Sequence, residues 1–304
     1  MKPSLLTSCV RLIRPKQWIK NFFVFAPLIF AKELFNPHQF LLTLRAFIAF
    51  SLAAGAIYII NDIVDAPADR NHPRKKNRPI ASGALSVRQA LVLFFVIVAG
   101  LGVLLIGMEP EFIAIVILYG VMNLLYSFRL KEVVLLDVFV VAAGFMLRVL
   151  GGAFAIDVHV SSWLVLCSLF VSLFLGFAKR RGEIVFLQES GVKAERKVLA
   201  LYQLDFLDQM LTIAASGAVI SYALYTVAPR TIEIFGTERL IYTTVLVCYG
   251  VFRYLFLAHT TATTDNPTSA ITSDLPILVT GFLWIASCVL IIYTSGSGIT
   301  NGPR

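Results

Sequence analysis

The sequence predicts an all-α protein, a polytopic membrane bundle of about nine transmembrane helices. Two properties of composition and one of pattern predict it. Hydrophobic residues make up 58% of the 304 positions and charged residues only 14%, against roughly 25% charged in an average soluble domain. Mean hydropathy is +0.81. The apolar residues fall into repeated runs of about 17 to 25, the length of a helix that crosses a bilayer.

In chain order the runs are 21–35, 41–60, 89–107, 112–128, 133–155, 162–178, 207–228, 240–258 and 276–294. The first is short and interrupted by Pro27 and Lys32, so it needs tilt or partial insertion to span. The second, LLTLRAFIAFSLAAGAIYII, is uniformly acceptable to lipid and stops at Asn61. The fourth closes on YSFRLK, the fifth carries Asp137, Gly144 and Arg148, and the sixth ends on Lys179, Arg180 and Arg181. The last three are read from length and apolarity alone. No internal repeat or low-complexity segment breaks the series, so 1–304 reads as one integral-membrane domain. Its longest polar connections are 61–88, 179–206 and 259–275.

A net charge of +8 could suit nucleic acid, but in a membrane protein the position of the bases outweighs their sum. Most of the 26 lysines and arginines lie in 1–20, 61–88, 129–132 and 179–206, which nine spans place on one side. The other side keeps only Lys32, Arg45, Arg230, Arg239 and Arg304. The positive-inside rule therefore puts the amino terminus and the polar connections 61–88 and 179–206 in the cytoplasm, and no nucleic-acid partner is implied. The amino terminus has no small-residue cleavage site and reads as retained. Cys9, Cys167, Cys248 and Cys288 are scattered without a CxxC pair, which argues against disulfides and zinc.

The chemistry concentrates in NDIVDAPADRNHPRKKNRPIASG, 61–83. Asn61, Asp65 and Asp69 are spaced i, i+4, i+8, a stripe drifting only about 40° per step on a continuing helix. Asp62 is close to Asp65 and Asp69 at i+3 and i+7. Hard oxygen donors of this kind suit Mg2+, which keeps several waters and is completed by substrate phosphates. The bases Arg70, Arg74, Lys75, Lys76 and Arg78 follow, where they can hold the phosphate oxygens that the metal does not reach. A solvated positive-inside loop would also be basic, but would not place acids first, at helical spacing, against the membrane. Pro67 removes one helical hydrogen bond and predicts a kink between Asp65 and Asp69.

NDxxDxxxD followed by RxHPxKxxRPIASG resembles the first aspartate-rich motif of the UbiA superfamily of intramembrane prenyltransferases. That resemblance implies a nine-helix fold and a magnesium-dependent site at the cytoplasmic side. Within the superfamily, RPKQWIKNFFVFAPLIFA (14–31), YSFRLKEVVLLDVFVVAAGFMLRVLGG (126–152), LFLGFAKRRGE (173–183) and SDLPIL (273–278) are similar to the decaprenyl-phosphate phosphoribosyltransferases. This implies transfer of 5-phosphoribose from phosphoribosyl diphosphate to a polyprenyl phosphate, in a bacterial cell membrane and toward cell-wall arabinogalactan precursors. Asp62, Asp65 and Asp69 are then the catalytic acids, with Asn61, Asp65 and Asp69 as metal ligands. The resemblance also raises Lys16, Lys20 and Asn21 as contacts to the lipid phosphate, and Asp137 as a second metal or ribose contact, although Val141 replaces the second acid of a DxxxD pair.

Other positions stand between binding and membrane anchorage. Tyr126 and Lys131 can bind phosphate or serve as interfacial residues, and Lys179 and Arg180 can face a cavity or flank a span. Arg148 lies eleven residues from Asp137, about 16 Å along a helix; an arginine inside a span marks function or an ion pair. A prenyl diphosphate-dependent aromatic or haem prenyltransferase, and a non-enzymatic transporter or scaffold, are the rival functions. Small residues on several helix faces leave room for a homo-oligomer.

Overall fold

The computed structural model describes residues 4–70, 75–190, 197–260 and 273–294. Arg74, one of the expected phosphate-binding bases, lies outside the described residues, as do Lys193, Glu195 and Arg196. Every regular element among them is helical: α1 Leu5–Ile13, a 3-10 helix Pro15–Phe25, α2 Ala26–Phe30, α3 Pro37–Asp69, α4 Val87–Leu105, α5 Pro110–Phe128, α6 Leu136–Ala155, α7 Ser162–Ser190, α8 Leu204–Val227, α9 Pro229–Phe235, α10 Thr244–Thr260 and α11 Leu275–Thr294, with short 3-10 turns between some of them. Eight of the described helical segments are long and apolar enough to cross a membrane.

The first apolar run is not one α-helix. Pro15 opens an 11-residue 3-10 helix and α2 adds five residues. A 3-10 run beyond three or four residues is uncommon and needs external restraint. Gly152 on α6 supplies some of it, because a Cβ there would lie 2.1 Å from the carbonyl oxygen of Val24.

Two helices outrun their apolar stretches. α3 has 33 residues, about 50 Å at helical rise, so its final turns exceed a hydrocarbon core of about 30 Å. The segment from Asn61 to Asp69, expected to open a loop, is therefore still helix, with Pro67 inside the last turn. α7, expected to end near 178, runs to Ser190. Its extension is stitched by Lys179–Glu183 and Arg180–Glu183 pairs at i,i+4 and i,i+3, spacings that place both cations on the acid's face.

The chain divides into two compact units. The first comprises 1–28, 33–128 and 147–159; the second comprises 29–32, 129–146 and 160–304. The first is centred on Phe50, Phe112 and Tyr119, whose rings meet edge to face, and on a second cluster that includes Leu12, Ile59 and Leu85. The second unit packs Phe174 on Tyr254 beside Leu207 and Leu211, and gathers Phe235, Leu240 and Ile292 in another cluster. More than half of the apolar window of α3 and of α6 is buried, against 11 to 17% for α4, α5, α11 and the stretch Arg239–Thr260. The latter four turn apolar faces outward, with Phe95, Val121, Phe252 and Phe282 among the exposed side chains.

Candidate active site

In the first unit, the end of α3 gathers acids and arginines. Asp62 and Asp69 are almost fully buried, while Asn61 and Asp65 are half-buried. One nitrogen of Arg78 lies 2.7 Å from Asp69 and 3.3 Å from Asp62, so the two carboxylates converge on a single positive centre. Arg14 donates to the same Asp62 oxygen that Arg78 approaches. It reaches there from a left-handed backbone (φ 52°) that terminates α1, and its guanidinium lies 4.8 Å from the centre of the Tyr58 ring. A non-glycine residue in that region carries a cost of order 1–3 kcal/mol, here held by the contacts of its side chain. Among the described residues Asp65 forms no ion pair. Arg70 and Lys76 are exposed, and Lys75 is half-buried.

Deeper along the same unit, Arg148 is buried and donates to the Asn21 side-chain oxygen (2.6 Å) and to the Tyr119 hydroxyl (2.8 Å). The Asn21 amide donates in turn to Ser51. Asn21 and Arg148 therefore fasten the 3-10 helix to α3, α5 and α6. Lys16 on the same 3-10 helix is exposed, while Lys20 and Tyr126 are half-buried.

In the second unit, Asp137 is wholly buried. One of its oxygens accepts from Arg180 and the other from the Tyr202 hydroxyl at 2.6 Å. The Tyr202 oxygen also accepts the Leu135 N–H at 2.8 Å, and Leu135 itself has φ 69°. Burial, and then its hydrogen bond to Asp137, push the Tyr202 phenol far above its usual value. Asp137 thus holds Arg180 in place, and Arg180 also binds Glu183. Lys179 reaches Glu183 at 3.8 Å, and Lys131 is half-buried. Beside this group, Arg181 binds Asp208 and the Ala258 carbonyl.

The structure brings Asp62, Asp69 and Arg78 together, and separately Asp137 with Arg180. Asp137 and Arg148, two positions of one helix, enter networks of different units. Sequence reasoning missed Arg14, Tyr119, Tyr202 and Glu183 as partners. Glu183 was legible at i+3 from Arg180, whereas Tyr202 is brought to Asp137 across 65 residues, beyond any local pattern.

Comparison with known proteins decides the family. A model described as the UbiA prenyltransferase family matches residues 21–269. The chain belongs to the UbiA prenyltransferase family. Two relatives of this UbiA chain are named decaprenyl-phosphate phosphoribosyltransferase. The one from Corynebacterium glutamicum is 37% identical over 226 residues, covering 73% of this chain and 68% of the relative. The one from Mycobacterium tuberculosis is 34% identical over 230 residues, covering 73% and 74%. A solved UbiA homologue from Archaeoglobus fulgidus, bound to GPP and Mg2+, aligns with a TM-score of 0.69 at 19% identity, over 94% of this chain and 99% of its own; that likeness establishes the fold. The UbiA chain is an integral membrane protein by its apolar helices and its family.

The acidic end of α3 fits a divalent metal by its chemistry. Its donors are hard oxygens, and Asp62 and Asp69 already share one cationic neighbour. Among the described residues no three His, Cys, Asp or Glu side chains are grouped to hold a metal ion.

Proposed function

We propose that this chain transfers 5-phosphoribose from phosphoribosyl diphosphate to a polyprenyl phosphate, releasing diphosphate, at the cytoplasmic face of a bacterial cell membrane. The observation that carries the reading is the convergence of two buried carboxylates and Arg78 at the polar end of α3, in a chain whose relatives are named for this activity. Asn61, Asp65 and Asp69, with Asp62 beside them, would hold Mg2+. The metal when bound would supply positive charge to the diphosphate leaving group.

The chain's own residues do the rest. Arg70, Lys75, Lys76 and Arg78 bind phosphate oxygens. Arg78 exchanges part of its carboxylate pairing for the diphosphate, a change among anionic partners that leaves it charged and hydrogen-bonded throughout. Lys16 and Lys20 lie on the 3-10 helix, where they attract the anionic headgroup of the acceptor. Tyr126, in the same unit, serves as a further phosphate contact. An acceptor phosphate oxygen attacks the anomeric carbon, forming a new C–O bond, while the C–O bond to diphosphate breaks and its electron pair leaves with the diphosphate. The nucleophile is already an anion, so no strong general base is required. The concentration of bases in 1–20, 61–88 and 179–206 supports a cytoplasmic site.

The test uses purified protein in lipid nanodiscs with ribose-labelled phosphoribosyl diphosphate and polyprenyl phosphate. The expected product is a labelled lipid, abolished by EDTA and restored by Mg2+. Turnover indifferent to the chelator, or transfer from a prenyl diphosphate with no labelled lipid from the ribosyl donor, would overturn the reading.

A further inference from the structure

One face of α3 remains polar well inside the apolar part of the helix. Ser51, Tyr58, Asp62, Asp65 and Asp69 follow at i, i+7, i+11, i+14 and i+18, all close to whole turns. The acids at the end of that face are described above. Tyr58 is four residues before Asp62, about 6 Å further into the span.

Tyr58 is half-buried and its hydroxyl makes no hydrogen bond among the described residues. It lies within electrostatic range of Tyr119, Arg148 and Arg14. Arg14 covers its ring from the side of the acids. Arg148 lies 4.7 Å from the Tyr119 ring centre and donates to the Tyr119 hydroxyl. That hydroxyl therefore receives a hydrogen bond, and its own proton is directed at no described residue. Tyr58 packs against the cluster that holds Tyr119, Phe50 and Ile57, so the two phenols, one under Arg14 and one under Arg148, belong to the same packed group.

Such a place suits an anion. Two neutral O–H donors bind phosphate oxygens without an ion-pair partner of their own, and the buried Arg148 beside Tyr119 adds positive charge. Its depth selects the kind of anion, because a phosphate one turn inside the apolar span is tolerated best when it is attached to something apolar.

We propose that Tyr58, Tyr119, Arg14 and Arg148 form the subsite for the phosphate of the lipid acceptor, one helical turn from the acids. The proposal rests on the functional reading above and assigns the acceptor, not the ribosyl donor, to these residues. A phosphate held there lies on the same face of α3 as Asp62 and Asp65, beside the end where the donor's diphosphate binds.

Tyr58→Phe removes one oxygen and keeps the ring under Arg14, so the fold is retained. The expected result is a KM for polyprenyl phosphate raised about tenfold, the size of one hydrogen bond to a charged group, with the KM for phosphoribosyl diphosphate unchanged. A rise in the donor's KM instead, or in neither, overturns the assignment. A binding arm needs no turnover: polyprenyl phosphate should raise the unfolding temperature of the wild type more than uncharged polyprenol does, and Tyr58→Phe should lose that phosphate-specific increment. Equal shifts from both lipids in the wild type overturn the subsite. Absence of any ribosylated lipid with the wild type would instead count against the reaction proposed above, and the binding arm would still decide the subsite.

Discussion

Replacing Gly152 by alanine tests how the 3-10 helix is held. The added Cβ would lie 2.1 Å from the Val24 carbonyl oxygen, 2.9 Å from its carbonyl carbon and 3.1 Å from its Cα. A carbon and a carbonyl oxygen ordinarily approach to about 3.3 Å, so one backbone must retreat by about 1 Å, and no side-chain rotation can relieve the clash. Alanine in place of a helical glycine would by itself stabilise by about 0.5–1 kcal/mol. Overpacking of a fitted interior costs about 1–3 kcal/mol, occasionally more, and the rigid partner here places the cost in the upper part of that range. The expected net effect is a loss of about 1–2 kcal/mol. Gly120→Ala is the control, because a Cβ at Gly120 meets nothing within 4 Å, and it should be neutral or slightly stabilising. Thermal unfolding in one detergent, monitored by intrinsic fluorescence, compares the two. Activity adds a second reading: the displaced segment begins beside Arg14, so Gly152→Ala should also lower turnover. A Gly152→Ala protein as stable as Gly120→Ala would show that Val24 and α6 are not in the close contact argued here.

Three further outcomes follow from the site. Asp65→Ala should lower turnover by about 10²-fold or more while circular dichroism and unfolding temperature stay at wild-type values, since this carboxylate has no ion pair among the described residues to lose; wild-type rates would remove it from the metal site. Arg180→Met leaves the wholly buried Asp137 charge uncompensated and should cost about 3–5 kcal/mol, with the double variant Asp137→Asn/Arg180→Met recovering part of that loss in the same unfolding assay; strictly additive losses would count against the pair. Asp274 accepts from Arg253 and caps α11 through the Ile277 N–H, and the Arg253 hydrogen bonds, foremost, hold its carboxyl below the usual range. A depressed carboxyl adds stability above the unfolded value, about 3.9, and loses it as pH falls through its folded value. Unfolding measured below about pH 4 should therefore show an acid-dependent loss that Asp274→Asn lacks.

Much of this was legible in the chain. The apolar runs, the basic asymmetry and the spacing of Asn61, Asp65 and Asp69 depend only on covalent order and on the periods of helix and bilayer, so they could be read without a structure. The ends of α3 and α7 could not. Each continues past its apolar stretch because charges met there are neutralised, Asp62 and Asp69 by Arg14 and Arg78, and Arg180 by Asp137. The partner of Asp62 just past α1, or of Asp137 beyond α7, has no local signature.

The sequence by itself determined that this is a membrane bundle with acids, then bases, where an apolar run ends, because hydropathy and helical spacing are local properties. The tertiary structure decided how those charges are shared. It wound Pro15–Phe25 as a 3-10 helix against Gly152, set Arg14 on Asp62 and Arg148 on Asn21, and divided Asp137 and Arg148 between two units. Those choices rest on close approach between segments distant in the chain, where desolvation makes each charged group take whichever partner folding brings within hydrogen-bond reach.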